Sequence, residues 1–141
     1  MATRSYIAII NENGLADGIY SHWDGYLEGV GATLVGHYSD PVKIRALIDE
    51  GDVSILKENI GTKHDFSANP DDECTFYHRD RGEELCITKR VGRSELPDIA
   101  NHCGAEFLYL FDGAKGGWQV YDGSTQSYLC LQSAITAELA K

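Results

Sequence analysis

The hydrophobic pattern opens with an apolar run from Tyr6 to Ile10, in which Tyr6, Ala8 and Ile10 alternate with Ile7 and Ile9. A period of two predicts a β-strand. Asn11-Glu12-Asn13-Gly14 supplies turn chemistry, and Gly18 to Asp24 reads as the returning strand. In that strand Ile19, Ser21 and Trp23 point one way and Tyr20, His22 and Asp24 the other. Four glycines between Gly25 and Gly36 argue against a long helix, leaving a loop with a short strand or helical turn around 32–38.

Asp40 and Pro41 form a helix start, after which Ile44, Leu47 and Ile48 fall on one face and Gly51 closes the helix. A second short helix is predicted from an Asp52 cap through Asn59, with Val53, Leu56 and Ile60 inward. Residues 61–73 are polar and read as a surface loop. Cys74 to Asp80 and Glu84 to Arg90 read as a second hairpin around Arg81-Gly82. Ser94 caps a third helix, marked by Leu96, Ile99, Ala100 and Cys103, and Gly104 ends it. Glu106 to Phe111 and Gly117 to Tyr121 make a third hairpin. A strand from Tyr128 to Leu131 and a helical tail follow.

Hairpins interleaved with helices predict one α+β domain spanning 1–141. It is a mainly antiparallel sheet of β-hairpins with two to four short helices on one face. A chain of 141 residues is long enough to bury its own core without a metal or disulfide staple. Cys74, Cys86, Cys103 and Cys130 have no C-x-x-C spacing, so reduced thiols in a cytoplasm are expected. No apolar stretch approaches the ~20 residues of a spanning helix, and no secretory leader is legible.

Charge changes the picture more. Twenty-two acids against twelve bases leave a formal net charge of −10. Direct nucleic-acid binding, which needs clustered Lys and Arg, is disfavoured, and a basic protein surface is the natural partner. Asp49, Glu50, Asp52, Asp71, Asp72 and Glu73 are the expected steering charges.

Two polar blocks could carry chemistry. His22-Trp23-Asp24-Gly25-Tyr26 would place His22 and Asp24 on one strand face, about 7 Å apart. A strand that buries Trp23 in the core explains the same residues without any site. Tyr77-His78-Arg79-Asp80-Arg81-Gly82-Glu83 is the densest polar run. Its His78 and Asp80 repeat the His-x-Asp spacing, so His22, Asp24, His78 and Asp80 are weak candidates for a divalent metal if the strands pair. Arg79 and Arg81 could hold a phosphate or carboxylate, whereas a self-compensated hairpin tip is the bland alternative. His37 and His64 read as capping or surface residues. Eight tyrosines, six of them in or near the apolar pattern, suit an aromatic binding face or a homodimer seam. Walker, nucleophile-elbow, zincin and EF-hand motifs are absent from the sequence.

The Met1-Ala-Thr-Arg-Ser-Tyr-Ile-Ala-Ile9 start, the Gly18–Tyr26 block and His37-Tyr-Ser-Asp40 resemble a family of small proteins encoded by bacteriophages, prophages and plasmids. Leu47–Ser54, Tyr77–Glu83 and Tyr109–Gly113 extend the resemblance, and the HWDGY block is its most specific part. The resemblance implies a setting, an accessory gene of a mobile element in a bacterial cytoplasm, and no catalytic role. The resulting expectation is a non-enzymatic binder of a host factor, such as an anti-CRISPR-type inhibitor, without cofactor. A protein that sequesters a small phosphorylated ligand or nucleotide, and a metal-dependent hydrolase, are the alternatives.

Overall fold

The structure, a computed structural model, describes residues 2–141. The first hairpin forms as the alternation predicts, with β1 (Ser5–Ile10) antiparallel to β2 (Ala16–Ser21). Beside β1, in parallel register, lies β6 (Phe107–Asp112). The third hairpin then adds β7 (Gly117–Asp122) and β8 (Ser127–Cys130), both antiparallel. On the far side β2 meets β3 (Val53–Ile55), which pairs with β4 (Thr75–Phe76). The path is β4-β3-β2-β1-β6-β7-β8, and β5 (Thr88–Val91) also pairs with β2.

Alternation along β1 and β6 divides the apolar residues between two faces. Ile7, Ile9, Tyr109 and Phe111 enter the larger core cluster. That cluster is closed by residues of α1 (Ala32–His37), α2 (Pro41–Asp49) and α5 (Leu131–Leu139), among them Leu34, Ile44, Leu47, Ile48, Leu131 and Ile135. Tyr6, Ala8, Leu108 and Leu110 form a second cluster with Leu96 and Ala100 of α4 (Leu96–His102). The domain is therefore α+β as expected, with three short helices on one face; α4 adds a layer on the other.

Local capping follows the sequence at α2, where the Asp40 carboxylate accepts from the Val42 N–H at 2.9 Å and Pro41 opens the helix. At α4 the cap differs. Exposed Ser94 caps nothing, and the Glu95 carboxylate reaches back to the Gly92 N–H at 2.6 Å.

Three expected elements are corrected. The helix predicted over 52–59 is instead β3 followed by irregular chain. Val53 and Ile55 suit a strand, and backbone bonds from His22 N–H to Val53 and from Trp23 N–H to Ser54, each 3.1 Å, seat this segment against β2. Asp52 caps no helix; its carboxylate accepts the Tyr20 N–H at 3.0 Å.

The second hairpin does not form either. Residues 77–81 make α3 (Tyr77–Arg81), so His78 and Asp80 do not alternate along a strand. The cause is local. Asp80 accepts the Phe76 N–H at 2.8 Å, folding the chain back on itself, and Gly82 ends the turn at φ +74. The later half of the expected hairpin becomes β5, which pairs with β2.

Finally, the returning strand of the first hairpin stops at Ser21, three residues early. Asp24 adopts φ +57, so the expected alternation of His22, Trp23 and Asp24 is broken. The chain then enters a wide helical turn at 27–31 that leads into α1.

Candidate functional site

The HWDGY block runs as a strap across one end of the sheet. Gly25 fastens it. Its N–H donates to the Thr3 carbonyl at 2.8 Å, and its carbonyl accepts the buried Tyr109 hydroxyl at 2.6 Å. A Cβ on Gly25 would lie 2.7 Å from the Thr3 carbonyl oxygen and 2.8 Å from Ser5 Cβ, so a side chain does not fit. His22 is half-buried and its Nδ1 lies 2.6 Å from the Tyr20 hydroxyl. Burial, aided by the Arg4 charge, lowers its pKa below the ordinary imidazole value. The neutral ring can then accept a hydrogen bond from the tyrosine hydroxyl at Nδ1 in the tautomer protonated at Nε2. Trp23 is not a core anchor: it is 41% exposed and meets the His22 ring edge-on at 4.8 Å. Tyr26 is 42% exposed.

Facing this strap is the 61–73 segment, held at both ends. Arg79 of α3 donates to the carbonyls of Ile60, Gly61 and Cys74 at 2.9–3.1 Å. It also pairs with Asp80 at 3.0 Å and lies against the Phe76 ring. The fully buried Asp80 carboxylate further accepts the His64 N–H at 3.0 Å. Burial works against that carboxylate's charge, but Arg79 and the two backbone donors outweigh it and hold its pKa below the ordinary value. Each ring nitrogen of His64 faces a carbonyl, Nδ1 to Asp65 at 2.8 Å and Nε2 to Cys74 at 3.0 Å. Two acceptors favour the doubly protonated ring, and the pKa is raised by these bonds, with Asp80 adding to them. Downstream, the Asn59 and Cys74 backbones close the segment through bonds to Asp72 and Asn59.

Between strap and segment lies a cleft of about 540 Å³. Trp23, Ile55 and Phe66 give it apolar walls, and Asp24, Lys57 and Asp71 are its charged lining. The Lys57 backbone is anchored: its carbonyl accepts from Tyr38 Oη at 2.7 Å, and its N–H reaches Cys74 Sγ at 3.3 Å. An Asp65 carboxylate that accepts from Ser67 N–H and Oγ shapes the turn after Phe66.

The structure brings together Trp23, Asp24 and Asp71 among the residues singled out in the sequence. The others lie elsewhere. Exposed His78 bonds the Glu83 carbonyl at 2.7 Å, while Asp80 is buried under Arg79. Among the described residues no three His, Cys, Asp or Glu side chains gather in a metal-ligand arrangement. Arg79 is spent inside the fold, and Arg81 pairs with Glu83 and lies against the Phe66 and Tyr77 rings. Of the six expected steering acids, Asp49 pairs with Arg45 at 3.5 Å and Glu50 lies 3.8 Å from Arg79. Asp52 and Glu73 accept backbone N–H groups, and Asp71 and Asp72 are exposed. Tyr38 and Tyr109 are core residues, whereas Tyr121 and Tyr128 pair edge-to-face at 5.2 Å on the other side of the sheet.

Phe66, Ile55 and Lys57 were not evident as site residues. Phe66 carried one legible signal, an aromatic residue alone in a polar stretch. No helix among the described residues is long and apolar enough to cross a membrane. No family model, curated protein or solved structure matches the chain.

Proposed function

We propose that the chain is a non-enzymatic binding protein that docks on a basic surface of a host protein or protein complex. The observation that carries this reading is the fate of the arginines. Arg45 pairs with Asp17 and Asp49, Arg79 with Asp80, Arg81 with Glu83 and Arg93 with Asp112. Four of the six guanidinium groups are therefore neutralised internally, and the acidic excess is left to the outside. A field of that sign attracts cations and steers a basic partner into contact. It also works against a phosphorylated ligand at Arg79 and Arg81.

In this reading the protein acts in a bacterial cytoplasm as an accessory factor of a mobile element, and inhibits a host factor such as a defence complex. The resemblance to phage and plasmid proteins supplies that setting, and the charge supplies the means. The test is capture of partners from host lysate at low salt, followed by kinetics on the purified partner. A basic partner is expected, and its association rate should fall roughly tenfold or more between about 50 and 500 mM salt. Failure to retain any basic partner at low salt, or a rate indifferent to salt, overturns the proposal.

A further inference from the structure

We infer that the cleft between Trp23 and Phe66 receives an arginine side chain of the partner. The inference rests on the acidic-binder reading and gives it a point of contact. Three features of the cleft select a guanidinium.

The first is charge. The cleft lining holds two carboxylates, Asp24 and Asp71, against one ammonium, Lys57. Both acids are exposed, and neither forms an ion pair among the described residues. An anion entering here would meet a net negative lining, and a cation a complementary one.

The second is the aromatic surface. Trp23 is 41% exposed, so part of its indole is open to a ligand. A cation over an indole face is attracted by the negative ring face, more strongly as water is excluded. Phe66 already shows the same affinity inside the fold, with the Arg81 guanidinium 4.4 Å from its ring centre. A planar guanidinium can lie flat on Trp23 while its edges donate to carboxylates at the rim. A lysine ammonium, compact, non-planar and more strongly hydrated, does both less well.

The third is preorganisation. The Trp23 backbone N–H is fixed to the Ser54 carbonyl, Gly25 to Thr3 and Tyr109, and the segment that carries Phe66 to the Arg79–Asp80–His64 network. Walls ordered before binding need little further ordering when a ligand arrives. Asp24 owes its place to a left-handed backbone at φ +57, a conformation that asparagine tolerates as well as aspartate. Asp24→Asn therefore removes charge without disturbing the strap.

The experiment uses acetylated, amidated Gly-Arg-Gly as probe, with lysine and citrulline counterparts, followed by NMR of the two indole N–H signals. Trp118 is the internal reference, because it is buried and donates to the Tyr38 carbonyl at 2.7 Å. The arginine peptide should shift the Trp23 signal saturably, the lysine peptide less, and the citrulline peptide hardly at all. Asp24→Asn and Asp71→Asn should each weaken the arginine peptide about three- to tenfold, a charge-assisted contact apiece. Lys57→Ala should tighten it by about two- to fivefold, because a like charge is removed. With the natural partner, Trp23→Ala should raise Kd about tenfold or more while the salt dependence persists.

Equal shifts from the citrulline peptide, or a Trp23 signal that never moves, overturn the arginine site. If Trp23→Ala protein then holds a basic partner with undiminished affinity and full salt dependence, the acidic-binder reading stands and the cleft alone falls. If wild-type protein also holds no basic partner at low salt, both fall.

Discussion

The Tyr109 hydroxyl donates to the Gly25 carbonyl across 2.6 Å, joining strand β6 to a strap that lies 84 residues earlier in the chain. Tyr109 is fully buried, and burial pushes its phenol well above the ordinary value, so the proton stays on oxygen to donate. Tyr109→Phe removes that donor and leaves the Gly25 carbonyl unpaired. A loss of about 1–3 kcal/mol is expected in urea unfolding. The Trp23 indole signal should shift or broaden as the strap loosens.

Gly25→Ala tests the same fastening from the other side. The added methyl would crowd the Thr3 carbonyl and Ser5 Cβ. The strap must move outward, at a cost of roughly 1–3 kcal/mol. Thermal unfolding measures the loss, and arginine-peptide binding should weaken with it.

Arg79 is predicted to be a structural residue. Arg79→Ala takes a donor from three carbonyls and the paired cation from the buried Asp80 carboxylate, so about 3–5 kcal/mol of stability should disappear. Arg79→Lys should recover only part, because an ammonium lacks the planar fork that serves several acceptors at once. Chemical denaturation of both variants is the measurement. Wild-type stability in Arg79→Ala would return the residue to the surface.

His64 gives the 61–73 segment a pH dependence of definite sign. Its folded pKa is raised, first by bonds to the Asp65 and Cys74 carbonyls and then by Asp80, against burial and the Arg79 charge. The stabilisation is complete below the unfolded value of about 6.5 and is lost as pH rises through the folded value. Histidine NMR titration should place His64 above that ordinary value. Amide exchange in 61–73 should quicken on the alkaline side, corrected for intrinsic rates, and His64→Gln should abolish the change.

Acid works through other groups. Burial opposes the charge on Asp17 and Asp80, but Arg45 and Arg79 respectively, with backbone donors, hold both pKa values below the ordinary carboxylate value. Their stabilisation is present above the unfolded value of about 3.9 and is lost as pH falls through the folded values. An acid unfolding limb should therefore shift to higher pH in Arg45→Ala, read by circular dichroism.

Strands β1, β2, β6 and β7 were legible because each carries its own period of two and its turn lies next door. The same holds for α2, whose Asp40 cap and Pro41 start are local signals. Residues 52–59 and 77–81 were misread for a common reason: their partners are distant or polar. Val53 is a strand residue because Ser21 and His22 pair with it, and nothing in 52–59 announces that. Asp80 turns 77–81 into a helix by bonding Phe76, and is kept there by Arg79 and His64. The cleft was half legible. Trp23 and Asp24 stood out in sequence, but Phe66 becomes their neighbour only through the tethering of 61–73.

The parallel pairing of β1 with β6 also orders events in time. Ser5 lies opposite Phe107, so the chain's second strand partner for β1 emerges from the ribosome about a hundred residues after β1 itself. Until then the β1 edge of the first hairpin stays unpaired, the condition in which nascent chains aggregate or engage chaperones. Synthesis thus includes an interval of vulnerability, closed only when β6 arrives.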